Sequence, residues 1–151
     1  VKNINSLVLG GHGDTMVPMP NHTTVNGKPL KEMIEKNKLN LIIERTRKGG
    51  AEIIKYLEKG SAFYAPAASG VEMAESYLKD LKKQLPCAVF LNGEYGAKEI
   101  YAGVPVIIGK NGVEKIIELE LSSDEKKNFE NSIKSVNDLL NAAKKIDKDL
   151  E

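Results

Sequence analysis

The sequence has a single cysteine, Cys87, among 151 residues, which excludes an internal disulfide and makes a reducing compartment, the cytoplasm, the expected setting. Its neighbours in Leu85-Pro86-Cys87-Ala88-Val89-Phe90 read as a buried strand. No apolar run approaches the roughly 18 residues of a membrane span, and Val1-Lys2-Asn3 offers no basic region leading into an apolar stretch, so no membrane segment or targeting signal is expected. An excess of charge of one sign is also missing. Lysine and arginine total 22 against 21 acidic residues, and a net charge of +1 gives no electrostatic case for nucleic acid or an acidic membrane surface. Arginine is limited to Arg45 and Arg47, and histidine to His12 and His22. What is present is ordinary for a folded domain: 41% hydrophobic and 28% charged residues, on a length that suits one domain with a substantial core. The first residue is valine and an apolar strand follows almost at once, an opening that reads as the interior of a longer chain.

Ile4 to Leu9 is aliphatic and β-branched and runs into Gly10-Gly11, which predicts a strand ending in a glycine-rich bend that carries His12. Two prolines between Met16 and Pro20 disfavour helix, and His22-Thr23-Thr24-Val25 before Asn26-Gly27 predicts a short strand leaving through a tight turn. Pro29 suits the first position of a short helix through Met33 and Ile34. Leu39, Ile42, Ile43, Ile53, Ile54 and Leu57 keep helical spacing across Gly49-Gly50, which predicts one long helix with a closely packed waist. A second helix is expected from Ala62 to Leu81, with Val71, Ala74, Tyr77, Leu78 and Leu81 as its apolar stripe and Pro66 restricting its first turns.

Leu85 to Leu91, Val104 to Ile108 and Val113 to Leu121 are rich in valine and isoleucine and are separated by Asn92-Gly93 and Asn111-Gly112, the pattern of an antiparallel sheet. Ser122 with Glu125 forms a capping-box pattern, and Phe129, Ile133, Val136, Leu140 and Ala143 mark one face of a terminal helix. The order of strand, helices, strands and helix is an α+β layout, an antiparallel sheet packed with long helices. It is not the repeating βαβ of a nucleotide-binding sheet.

The chemistry centres on His12. Imidazole gives and takes protons near neutrality, and the glycines on either side allow a substrate to approach it closely. Gly-His-Gly alone also fits a histidine that serves a turn through hydrogen bonds. A metal site could combine His12, Asp14 and His22, but the spacing matches no helical or finger signature. Gly10-Gly11-His12-Gly13 lacks the Gly-Lys-Ser/Thr continuation of a phosphate loop. Asp14 reads as a turn residue and His22 as a surface or interface residue. Lys79, Lys82 and Lys83 read as a solvated helix end. Arg45 and Arg47 lie in a predicted helix, where ion pairing is the ordinary role, so a dicarboxylate would find its guanidinium clamps elsewhere.

Four blocks together are more specific than any of these motifs. They are Leu9-Gly10-Gly11-His12-Gly13-Asp14 with Met16-Val17-Pro18; Glu44-Arg45-Thr46-Arg47-Lys48-Gly49-Gly50-Ala51-Glu52-Ile53; Gly60-Ser61-Ala62-Phe63-Tyr64-Ala65-Pro66-Ala67-Ala68; and Tyr101-Ala102-Gly103-Val104-Pro105-Val106-Ile107-Ile108-Gly109. In these the chain resembles the C-terminal domain of the lactate/malate dehydrogenase family, and among its members the bacterial, lactate-dehydrogenase-like malate enzymes. The resemblance implies a substrate-side catalytic domain of an NAD-dependent oxidoreductase of the tricarboxylic acid cycle that interconverts malate and oxaloacetate as a homo-oligomer. It implies that His12 protonates the ketone oxygen of the 2-oxo acid, that Ser61 and Ala62 lie beside the substrate and that Pro66 lies near the nicotinamide.

The family's glycine-rich NAD loop, its ribose-binding acid, its mobile loop, its clamping arginines and the aspartate that orients the histidine all belong to an N-terminal half that residues 1–151 do not contain. Such a fragment is expected to be inactive alone. The sequence departs from the family between Pro29-Leu30 and Glu44-Arg45, where it is several residues short. Two alternatives remain open: a domain of a lactate or other 2-hydroxy-acid dehydrogenase, and a noncatalytic oligomerisation module built on the long helices.

Overall fold

Residues 3–150 are described by the computed structural model. Short paired strands come first: β1 (Ile4–Asn5), β2 (Val8–Leu9), β3 (Val17–Pro18), β4 (Thr24–Val25) and β5 (Lys28–Pro29). Helices α1 (Lys36–Arg47), α2 (Gly49–Leu57) and α3 (Tyr64–Leu78) follow, then β6 (Lys83–Asn92), β7 (Lys98–Gly109) and β8 (Gly112–Ile116), and last α4 (Ser123–Ile146). The strands form antiparallel sheets in the orders β1-β4-β5, β2-β3 and β6-β7-β8. This is the expected α+β architecture.

β7 is the central strand of the largest sheet, and its sequence shows why. Ile100, Ala102, Val104, Val106 and Ile108 alternate along it and are all buried, as the period of two requires when one face meets the core. Phe129 and, less completely, Ile133 and Val136 of α4 pack on that core, and Leu7, Leu9, Val17 and Met19 of the first strands close it. β6 departs from the buried strand expected around Cys87. It is an edge strand, with Leu85, Cys87, Val89 and Leu91 turned toward the core and Pro86, Ala88 and Phe90 exposed.

The predicted long helix from Leu39 to Leu57 is two helices. Lys48 sits between them at φ −90°, ψ 0°, outside helical geometry. The waist is not closely packed, because a Cβ built on Gly49 or Gly50 meets no atom within 4 Å. Pro29 ends β5 instead of opening a helix, and the helical segment after it is a single 3₁₀ turn, Leu30–Glu32. Asn26 and Gly27 both adopt positive φ (51° and 77°) and turn β4 into β5, the two-residue hairpin their identities suit.

α3 is shorter than Ala62 to Leu81. It ends in a Schellman arrangement with Asp80 at φ 50° and the Leu81 N–H donating to the Ser76 carbonyl at 3.0 Å. Its predicted stripe faces outward, with Val71, Tyr77, Leu78 and Leu81 all exposed, and the side that meets the sheet carries the fully buried Ser76. β8 stops at Ile116 instead of Leu121. There the Tyr95 hydroxyl donates to the Ile117 carbonyl at 2.6 Å and accepts from the Leu119 N–H at 3.0 Å, taking over backbone groups that a longer strand would use.

The start of α4 forms the expected capping box. The Ser122 N–H donates to Glu125 Oε2 at 2.9 Å, and the Glu125 N–H donates to Ser122 Oγ. Asn21 Nδ2 donates to Glu125 Oε1 at 2.6 Å, which ties the Pro20–His22 turn to the helix. Burial pushes the Glu125 carboxyl up, but the Ser122 N–H and O–H, the Asn21 amide and the His22 charge outweigh it and hold the group below the usual carboxylate range. A carboxyl with a lowered folded-state pKa contributes stability above the unfolded value, and that contribution is lost as pH falls through the folded value. Glu125→Gln is therefore expected to cost roughly 1–3 kcal/mol near neutrality, with the gap to the parent closing below about pH 4. Urea unfolding of both chains across this range checks it, and a gap that persists unchanged at low pH would contradict the assignment.

Candidate active site around His12

The loop that carries His12 is the connection of an antiparallel pair: Leu9 of β2 is opposite Val17 of β3, and Gly10 to Met16 span the gap. Gly13, at φ 115°, lets the chain reverse, and the Met16 N–H donates to its carbonyl at 3.0 Å. The turn thus closes through the backbone. The carboxylate of Asp14, expected to hold it, is exposed and makes no hydrogen bond among the described residues. His12 is exposed at the outer side of the loop.

Three contacts seat this loop. Gly10 and Gly103 exchange both backbone hydrogen bonds at 2.8 Å, joining the end of β2 to the middle of β7. The Gly11 N–H donates to Ser132 Oγ at 2.8 Å on α4. Beyond His12, Arg47 Nε donates to the Met16 carbonyl at 3.3 Å while its Nη1 pairs with Glu44 at 2.8 Å. Arg47 thus adds a loop contact to the ion pairing expected of it; Arg45 makes the expected pair, bidentate to Glu52 across the break between α1 and α2.

A groove of about 300 Å³ opens beside His12, lined by Val8, Leu9, Gly10, Gly11, Met16, Pro86, Cys87, Ala88 and Gly103. One ionisable ring, a ring of backbone and a mostly apolar wall can hold a small substrate next to a proton donor. Cys87 is a wall residue there. Burial pushes its thiol up, which disfavours a thiolate nucleophile. A larger cavity of about 370 Å³ between β1, β4 and α1 is lined by Leu7, Met19, Leu39 and their neighbours and contains no ionisable side chain.

Ser61 is exposed, Ala62 half-buried and Pro66 exposed on the first turn of α3, and none of the three lines the His12 groove. Ser76 Oγ donates to the Ile108 carbonyl and accepts from the Lys83 N–H, while Met73 Sδ touches Cys87 Sγ at 3.5 Å, so α3 runs antiparallel to β6. At about 1.5 Å per residue along the helix, Pro66 stands roughly 10 Å from Met73, the residue that touches Cys87.

His22 was read as a surface or interface residue. It is half-buried against the start of α4, with Nε2 enclosed and unpartnered among the described residues. No three His, Cys, Asp or Glu side chains among the described residues converge on a common point, so His12, Asp14 and His22 form no metal cage. Lys79, Lys82 and Lys83 reach Glu75, Glu114 and Glu72 respectively, in place of a purely solvated helix end. No described helix is long and apolar enough to cross a membrane.

Ser132 and Gly103 carry no signal of their own in the sequence, since their role depends on residues 121 and 93 positions away. A serine within the apolar Phe129–Val136 stripe was the one local hint. The bridge makes a direct test. A Cβ on Gly103 would stand 2.9 Å from the Gly10 carbonyl oxygen, a backbone atom with little freedom to yield. Gly103→Ala is expected to open the bridge and lower stability by about 1–3 kcal/mol in chemical unfolding; an unchanged midpoint would show that the bridge is not needed.

Comparison with known proteins agrees with this architecture. The malate dehydrogenase of Pelagibacter ubique (strain HTCC1062) is 64% identical over 155 positions that take in 99% of this chain and 48% of that protein. Those 155 positions exceed the chain's 151 residues, so this relative carries residues that the chain lacks. The solved malate dehydrogenase of Salinibacter ruber superposes with a TM-score of 0.94 at 41% identity, covering 99% of this chain and 49% of that one. The lactate dehydrogenase of Eimeria maxima, solved with NADH and oxamate, superposes at 0.93 with 41% identity over 97% of this chain and 47% of that one. The chain spans about half the length of each. The family model for the lactate/malate dehydrogenase alpha/beta C-terminal domain matches residues 1–148, and the chain belongs to that family.

Proposed function

We propose that residues 1–151 are the substrate-side half of an NAD-dependent malate dehydrogenase, completed by an N-terminal NAD-binding domain. The observation that carries this is an exposed imidazole on a loop fixed at both ends, beside a small groove, in a domain 64% identical to the matching half of a malate dehydrogenase. In ketone reduction, protonated His12 gives its proton to the carbonyl oxygen of oxaloacetate. In the reverse direction the neutral ring takes the hydroxyl proton of malate. Gly13, with open space where a Cβ would stand, leaves room for the substrate beside the ring.

NAD fits this chain at one edge. The exposed first turn of α3 offers Pro66 as a wall for the nicotinamide, and Ser61 and Ala62 just before it border the substrate. A dinucleotide also needs a glycine-rich strand-to-helix turn for its pyrophosphate, which the alternation of strands and helices here does not provide. Bound NADH supplies the hydride; these residues supply orientation and the proton.

The apolar faces of α1, α2 and α3 support assembly. Leu41, Tyr56, Tyr64, Val71 and Leu78 are exposed, which fits docking to an N-terminal domain and to other subunits of a cytoplasmic homo-oligomer in the tricarboxylic acid cycle. The substrate reading favours malate over lactate because the malate dehydrogenases of Pelagibacter ubique and Caulobacter vibrioides are 64% and 54% identical, against 45% for the Cryptosporidium parvum lactate enzyme.

Residues 1–151 alone are expected to give no oxaloacetate-dependent oxidation of NADH. A chimera in which they replace the matching half of the Pelagibacter ubique enzyme should turn over oxaloacetate in preference to pyruvate. In that chimera His12→Asn should lower kcat by about 10²- to 10⁴-fold with folding retained. A preference for pyruvate would transfer the assignment to the lactate enzymes, and undiminished turnover by the asparagine variant would leave the domain a noncatalytic assembly module.

A further inference from the structure

Ser132 is completely buried on an α4 face that it shares with Phe129, Ile133 and Val136. On packing grounds alone an aliphatic residue suits such a position better, because a buried hydroxyl must find a partner. Its partner is the Gly11 N–H at 2.8 Å, the amide one residue before His12. The strand ladder ends at Gly10, whose N–H and carbonyl are both taken by Gly103, so Gly11 is the first amide that the sheet leaves unpaired.

The fit is steric as well. A Cβ on Gly10 would lie 2.3 Å from Ser132 Oγ, and one on Gly11 would lie 2.7 Å from Val136 Cγ2. Two glycines thus let the loop lie directly on α4, with the hydroxyl set at the Gly10–Gly11 peptide, one link ahead of His12. The other fully buried serine, Ser76, is a useful contrast: it binds the Ile108 carbonyl and the Lys83 N–H, away from the loop.

Resting on the reading of His12 as the proton-transfer residue, we propose that Ser132 is a positioning residue for it, acting through the Gly11 N–H. Loss of the hydroxyl leaves the Gly11 N–H unpaired, so that the Gly10–Gly11 peptide, one link ahead of the peptide that joins His12, is held only through the Gly10 carbonyl, while the ring, the groove and the NAD-binding half stay intact. Its effect therefore falls on kcat and not on the KM for NADH.

The chimera described above is the test system, with Ser132→Ala and Ser76→Ala compared. Ser132→Ala is expected to lower kcat for oxaloacetate by about 10- to 100-fold with an unchanged KM for NADH, and to speed hydrogen exchange at the Gly11 amide. Ser76→Ala is expected to lower the thermal midpoint while keeping the parent's kcat. Equal kcat losses in the two variants, or a Ser132→Ala enzyme with the parent's kcat, would overturn the proposal. Turnover lost in His12→Asn but kept in Ser132→Ala defeats only this inference. Turnover kept in His12→Asn defeats the catalytic reading and this inference together.

Discussion

The pair of hydrogen bonds between Gly10 and Gly103 is the contact on which the rest of the candidate site depends. β2 and β3 are two residues each, too short to hold together as an isolated hairpin. Docking the end of β2 onto β7 gives them a sheet to lean on and brings Leu9 and Val17 into the core that β7 organises. It also decides where the loop begins. Glycine is required on both sides, because a side chain on Gly103 would press on the Gly10 carbonyl and one on Gly10 would meet Ser132.

A proton-transfer group has two opposed needs, exposure to substrate and a fixed orientation. The loop leaves His12 exposed and holds the backbone on either side of it, which suits the proposed proton transfer. α4 holds the Gly11 N–H through Ser132, and α1 holds the carbonyl at Met16 through Arg47. Elements far apart in sequence therefore converge on a segment of seven residues, Gly10 to Met16. The first three helices add little to the common core, where Leu39 alone is a buried hydrophobic residue among them, and they present apolar faces outward. That division leaves the apolar faces of these helices open for docking.

Much of this was legible in the sequence where the signal is local. The capping box at Ser122 and Glu125, the Asn26-Gly27 turn and the alternation along β7 depend on neighbours within a few residues, and each formed as read. The helix break at Lys48 was missed because apolar spacing continues through it, and spacing reports a face, not the geometry of one residue. The apolar stripe on α3 was legible, but not that it faces outward. Periodicity identifies an apolar side without saying whether this chain or another covers it. β8 ended early because the Tyr95 hydroxyl, more than twenty positions away, competes for its backbone. At the site, His12 was visible as a residue type between glycines, whereas Ser132, Gly103 and Arg47 acquire their roles only through tertiary contact. Ser61, Ala62 and Pro66 came from family resemblance, and none of them lines the groove beside His12.

The central claim is that the His12 ring faces the reacting carbonyl of a 2-oxo acid held in the groove beside Gly103. A crystal structure of the chimera with NADH and oxamate tests it most directly. The expected result is an oxamate oxygen within about 2.6–3.2 Å of a His12 ring nitrogen. Oxamate bound with His12 turned to solvent and out of reach of the ligand would contradict it.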